Sequence, residues 1–166
     1  MCSLSIKGTC KMKITESRLR RIIREELVKP SDLDDQQLER LSQLLDDADL
    51  HPEFAGYDLV KGSEKDQLRL AILNDKEVVG FMTPRFDRGY WRTGAIYADP
   101  AMRGGGHMRL AIIEFFSNPS HRPARVWIGE DNIGSQRAFL GAGFKRGGRR
   151  DIGDGPGDRG HHYYLE

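Results

Sequence analysis

The sequence predicts an α/β (α+β) fold, because two hydrophobic rhythms follow one another along the chain and a glycine turn then divides an extended run from a helical one. Between residues 15 and 45 apolar side chains recur every three or four positions; from Leu68 they alternate; and Arg103-Gly104-Gly105-Gly106-His107-Met108 marks the division. With 166 residues, 38% of them hydrophobic and 31% charged, the chain has material for one compact core.

Lys+Arg total 26 against Asp+Glu 25, a balance without the broad positive field of a general nucleic-acid binder, so no nucleic-acid partner is expected. The only cysteines, Cys2 and Cys10, lie in a polar leader where nothing packed would hold a metal or a disulfide; no metal is expected. No apolar run approaches the roughly 18 to 20 residues that cross a bilayer, which points to a cytoplasmic protein with no membrane contact.

Taken in order, Met1 to Lys11 shows no periodicity, and Met12 would serve as an alternative start. From Thr15 to Val28, Leu19, Ile22, Ile23 and Leu27 make one narrow stripe of a helix that Pro30 ends, so residues 1–29 read as leader and amphipathic helix and residues 30–166 as the main domain. Lys13 to Leu27 resembles the short basic leaders of various marine phage proteins, and an amphipathic docking helix is the plainer reading. Ser31 and Asp34 offer caps for a second helix, with Leu38, Leu41, Leu44 and Leu45 inward and an end near Asp47 to Asp49.

Leu68, Leu70 and Ile72, the turn chemistry of Asn74-Asp75, and Val78 to Met82 read as an antiparallel hairpin. Trp91 to Ala98 is a third extended run, released at Asp99-Pro100, and Arg85, Asp87, Arg88 and Trp91 fall in the loop before it, where they would shape an acceptor pocket or simply meet solvent. Arg109 to Phe116 is helical, Arg125 to Ile128 a strand, Ser135 to Leu140 a short helix, Phe144 to Arg146 a strand start and His161 to Leu165 a last strand.

Glycines before a helix leave its first N–H groups unpaired and permit unusual backbone angles, a socket for an anion that Arg103 and Arg109 would reinforce. On its own such a turn is as often an ordinary tight connection, and the lysine and hydroxyl of a P-loop are absent. Its context is more specific: Ile96-Tyr97-Ala98-Asp99-Pro100-Ala101-Met102-Arg103-Gly104-Gly105-Gly106, then Val126-Trp127-Ile128, Asp131-Asn132, Ser135, Ala138, Phe139 and Gly141-Ala142-Gly143-Phe144. In this order the two stretches resemble the GCN5-related N-acetyltransferase (GNAT) superfamily over about the last two-thirds of the chain, with Met108 departing at the final small position of the glycine pattern.

The resemblance implies a mixed, mostly antiparallel central sheet with a splayed pair of parallel strands and helices on both faces. It implies acetyl-CoA as co-substrate, with the pantetheine arm on the free backbone of Ile96, Tyr97 and Ala98, the pyrophosphate on Arg103, Gly104, Gly105, Gly106, His107 and Met108, and Asn132, Ser135 and Phe139 across the splay. Asn132 would equally cap a helix. The implied reaction is direct attack of an amine, of a small molecule or a protein, on the thioester. Phe139 stands where many relatives carry a tyrosine, so the leaving-group proton would come from Tyr97, Tyr163 or Tyr164 or from water, with Asp99 or Glu130 as base, directly or through a water. The first strand usual in that architecture would come from Tyr57 to Val60 or Leu4 to Ile6. Two alternatives stand beside this: a degenerate member acting as a CoA-binding or interaction module, and a protein whose basic N-terminal helix docks on a partner. A homodimer is left open.

Overall fold

The computed structural model describes residues 25–50, 68–153 and 158–166. Its first element corrects the expected helix: Glu25–Val28 is a strand, β1, antiparallel to β2 (Leu70–Asn74), with Leu27 opposite Ile72 and Val28 opposite Ala71. Helical spacing misleads here because β2 offers an open ladder edge, and alternation along β1 sends Leu27 and Val28 to different core clusters. The rest of that helix (15–24) and both places considered for a first strand (4–6 and 57–60) lie outside the described residues. The sheet therefore takes in residues ahead of the boundary expected at residue 30.

Helix α1 (Asp35–Asp49) starts in a capping box: Asp34 accepts the Gln37 N–H at 2.8 Å, and the Gln37 side chain accepts the Asp34 N–H at 3.0 Å. The cap is thus Asp34, with Ser31 in a preceding 3-10 turn. Leu41, Leu44 and Ala48 are buried, whereas Leu38, expected inward, is 39% exposed.

The hairpin of β2 and β3 (Glu77–Met82) forms as expected, its two turn residues Asp75 and Lys76 both left-handed at φ 47° and 75°. Beyond Pro84 the same chain runs on as β4 (Arg85–Asp87), turns at Arg88-Gly89, and returns as β5 (Tyr90–Arg92) and β6 (Ile96–Ala98). Pairs Gly80–Ala98 and Met82–Ile96 on one side of Pro84 become Arg85–Arg92 and Asp87–Tyr90 on the other, a slip of one residue. That slip is a bulge at Thr93–Ala95, held by the Thr83 N–H to the Ala95 carbonyl and by the Ala95 N–H to Thr83 Oγ1, each at 2.9 Å. Two expectations change accordingly: Trp91 to Ala98 is two strands rather than one, and Arg85, Asp87, Arg88 and Trp91 form a hairpin tip rather than a loop.

Two sheets result. The first has the order β1-β2-β3-β6 and is antiparallel throughout; the second has the order β4-β5-β7-β9-β8, where β7 is Ala124–Gly129, β8 Lys145–Arg149 and β9 Gly160–Leu165. The parallel contact in it joins Trp91 of β5 to Ala124 of β7. Helix α1 covers one face of the first sheet through Leu41 and Leu44 on Ala71, Phe81 and Tyr97, while α2 (His107–Phe116) covers the other through Ala111 on Ile72 and Val79. Further along, Ile112, Phe115 and Phe116 of α2, with Phe139 of α3 (Ile133–Gly141), pack on Ile128 and Tyr163 of the second sheet. Each such fully buried side chain contributes about 1.5–3 kcal/mol, so α2 ties the two sheets together. No helix among the described residues is long and apolar enough to cross a membrane.

Candidate active site

The sheets share the long hairpin but part beyond its bulge. Strand β6 pairs with β3, β7 pairs with β9, and the described ladders contain no pair between β6 and β7. Antiparallel pairing alternates, so hydrogen bonds from Asp99 N–H to Val79 O and from Thr83 N–H to Ala95 O turn the backbone of the odd residues toward β3. The N–H and C=O of Ile96 and Ala98 therefore face the gap. On the other wall the Glu130 N–H donates to the Arg159 carbonyl at 2.8 Å, which fixes the even residues of β7 on β9 and turns the Trp127 and Gly129 backbone to the gap. Gly129 already uses its carbonyl, accepting from Asn132 N–H and Gln136 Nε2. The Trp127 backbone escaped notice in the sequence, since the hydrogen-bonding side of a residue depends on its partner strand.

Because β5 and β7 run parallel, their continuations reach the same edge, and so do the turns that follow them. After β6, a 3-10 turn at Pro100–Met102 leads into the glycine turn, where Gly104 and Gly106 are left-handed at φ 89° and 84°. A Cβ at either would meet open space, whereas one at Gly105 would strike the His107 ring. Among the described residues no main-chain carbonyl accepts the N–H of Gly104, Gly105, Gly106, Met108 or Arg109; the first bond of α2 runs from Leu110 N–H to Gly106 O at 3.1 Å. His107 is buried at the first position of α2, and the Arg109 stem fills the space over Gly141 of α3. Arg103 is exposed, its guanidinium 6.0 Å from the centre of the Tyr97 ring. Across the gap, Asn132 caps α3 by accepting the Ser135 N–H at 3.0 Å.

The other expected residues are placed less simply. Both Asp99 carboxylate oxygens have partners: Oδ1 accepts the Ala101 N–H at 2.9 Å, and Oδ2 pairs with Arg40 of α1. Both oxygens are thus occupied by α1 and the turn after β6, and Arg40, unremarked in the sequence, is the counter-ion. Glu130 approaches His161 at 3.6 Å and Arg149 at 3.8 Å, on the β9–β8 side of β7 and away from the gap. Tyr97 is 4% exposed, with its ring stacked on Phe81 at 5.7 Å beneath α1. Phe139 packs edge-to-face on Phe144 at 5.0 Å inside the core, Tyr163 is buried beside it, and Tyr164 is half-buried against Gly147. The rings of Tyr97, Phe139 and Tyr163 thus fill core positions, and of the three Tyr97 lies on a strand, β6, that borders the gap. No group of three His, Cys, Asp or Glu among the described residues is placed to hold a metal ion.

Comparison with solved structures settles the architecture. The microcin C7 self-immunity acetyltransferase in complex with acetyl-CoA and AMP superimposes with TM-score 0.64 at 15% identity, over 85% of this chain and 91% of that one. The chain has the GNAT acetyltransferase fold. A GNAT-family acetyltransferase from Bacillus cereus matches with TM-score 0.63 at 19% identity, over 86% of this chain and 96% of that one. A Bacillus subtilis acetyltransferase in complex with CoA matches with TM-score 0.60 at 12% identity, over 87% and 98%. No family model and no curated protein matches the sequence. The GNAT fold accounts for the mixed, mostly antiparallel strands, the splayed parallel pair and the helices on both faces.

Proposed function

We propose that this chain is an N-acetyltransferase that passes the acetyl group of acetyl-CoA to an amine by direct attack. The observation that carries the reading is the gap between β6 and β7, lined by backbone of Ile96, Ala98 and Trp127 that is unpaired among the described residues, with the glycine turn at its mouth. Pantetheine is itself a chain of amides, and it would lie between the strands as an added strand does. Its diphosphate would rest on the N–H groups of Gly104 to Met108 at the positive end of α2, with Arg103 beside it. Asn132 and Ser135 would border the arm from the far side.

In this reading the Ala98 N–H polarises the thioester carbonyl, the amine nitrogen bonds to the carbonyl carbon, the C–S bond breaks, and sulfur leaves as thiolate. The amine proton passes to water, since Asp99, Glu130 and Tyr97 are engaged elsewhere. Oriented backbone donors and approximation then supply the rate.

Thermal unfolding with acetyl-CoA tests the donor site. At a hundred times its dissociation constant a ligand adds about 2.7 kcal/mol, a rise of about 5–10 °C for a chain of this size. Acetyl-pantetheine, lacking the diphosphate, should need far higher concentration, and free thiol should appear once an amine is added. The absence of any shift at millimolar acetyl-CoA would refute the reading. A second reading, a binding module without turnover, is favoured by Phe139, which has no hydroxyl and lies in the core; it predicts the shift without thiol release across a broad amine panel.

A further inference from the structure

Arginines gather on the face of the second sheet opposite α2 and α3. Trp91 points to the helices, where its ring meets Phe115 at 5.4 Å and His121 at 4.7 Å, so its neighbour Arg92 points the other way. Arg85 is the direct cross-strand partner of Arg92. Arg125 of β7 takes the adjacent position beyond the Trp91–Ala124 contact, with its guanidinium 4.7 Å from the Tyr90 ring centre. Three arginines thus stand in a row across β4, β5 and β7. Arg69 joins them from beside β4, since the Leu68 N–H donates to the Pro84 carbonyl at 2.8 Å.

Such an arrangement is costly without a counter-charge. Like charges at directly opposed positions destabilise a ladder, and buried N–H groups with no acceptor add to that cost. Among the described residues, Arg85 Nε, Arg92 Nε, Arg69 Nε and Arg69 Nη2 are buried with no hydrogen-bond partner. Among the described residues Asp87 is the carboxylate paired with the row, 3.1 Å from Arg92 Nη2. The row also has a meaningful place. It lies at the closed end of the gap, while the glycine turn lies at the open end, so a donor whose diphosphate sits on that turn points its reactive end toward Arg92 and Arg125.

We infer that Arg85, Arg92 and Arg125 bind a carboxylate or phosphate on the acceptor, so that the amine acetylated here belongs to a small anionic molecule. This rests on the acetyltransferase reading for the word acceptor; the anion site itself rests on the arginines alone. A small ligand suits the row better than a polyanion, because the patch is local, contains Asp87, and belongs to a chain of net charge +1.

The full chain with acetyl-CoA should be assayed on two matched pairs: γ-aminobutyrate against 1-aminobutane, and O-phosphoethanolamine against ethanolamine. The first pair reports a carboxylate and the second a phosphate. At least one anionic amine should exceed its partner tenfold or more in kcat/KM, and Arg92→Gln or Arg125→Gln should collapse that ratio toward one through KM, with Arg92→Lys retaining part of it. Equal use of both members, or an unchanged ratio in both glutamine variants, overturns the inference. If nothing is acetylated, the donor reading fails separately, and inorganic phosphate and γ-aminobutyrate are used as thermal-shift probes: protection that Arg92→Gln abolishes upholds the anion site, and no protection overturns it. Binding of polyglutamate or a single-stranded oligonucleotide without binding of the small anions also overturns it. Arg85→Gln serves as the folding control: relief of the opposed pair should leave the melting temperature equal or about 1–3 °C higher without anion, a gain that phosphate erases.

Discussion

Asp99 was attractive as a base because it ends the strand beside the gap, and the structure gives it a different occupation. Arg40 and the Ala101 amide hold both its oxygens, which fastens the end of β6 to α1. Asp99→Asn should therefore cost about 1–2 kcal/mol of stability, read from a urea melt, and change kcat by less than about threefold, whereas removal of a true general base costs about 10²–10⁴. A larger fall in kcat with an altered pH–rate profile would restore Asp99 to the chemistry. The pairing was illegible beforehand for a physical reason: its partners are 59 residues apart, and only the packing of α1 on the first sheet brings them together. The glycine turn was legible because its geometry is local, with Gly104 and Gly106 at angles that glycine tolerates best.

Among the elements, the bulge at Thr93–Ala95 decides most, since it lets one hairpin leave the first sheet and enter the second. Gly94 is left-handed at φ 61°, and a Cβ there would overlap the Thr83 backbone, 2.9 Å from its carbonyl carbon. Gly94→Ala combines backbone strain with overpacking and should cost about 2–4 kcal/mol in denaturant unfolding; a loss under about 0.5 kcal/mol would show that the joint adjusts freely. The hairpin read in residues 68–82 and the helix read in 109–116 survived folding, with β2 and β3 buried on both faces between the helices. The spacing that includes Leu27 did not, since the edge of β2 outweighed local propensity over residues 25–28.

At the scale of the whole molecule, stability should depend on pH through His162. Burial first, then the charges of Arg125, Arg150 and Arg92, hold its imidazole below the ordinary histidine range. The unfolded chain then takes up this proton at higher pH than the folded one. The contribution is complete above the ordinary histidine pKa and declines as pH falls from there through the folded value. His162 is only half-buried, so solvent tempers the effect. His162→Gln should flatten the melting-temperature profile on that acid limb relative to wild type; an unchanged slope would assign the limb to other groups.

The shared hairpin also governs how the molecule comes apart. Residues 77–98 contribute β3 and β6 to one sheet and β4 and β5 to the other, so neither ladder can dissolve without stripping a border from its neighbour. Melting is thereby made a joint event, and the seam between the sheets, the very place left open for a ligand, is also where the two halves are obliged to cooperate.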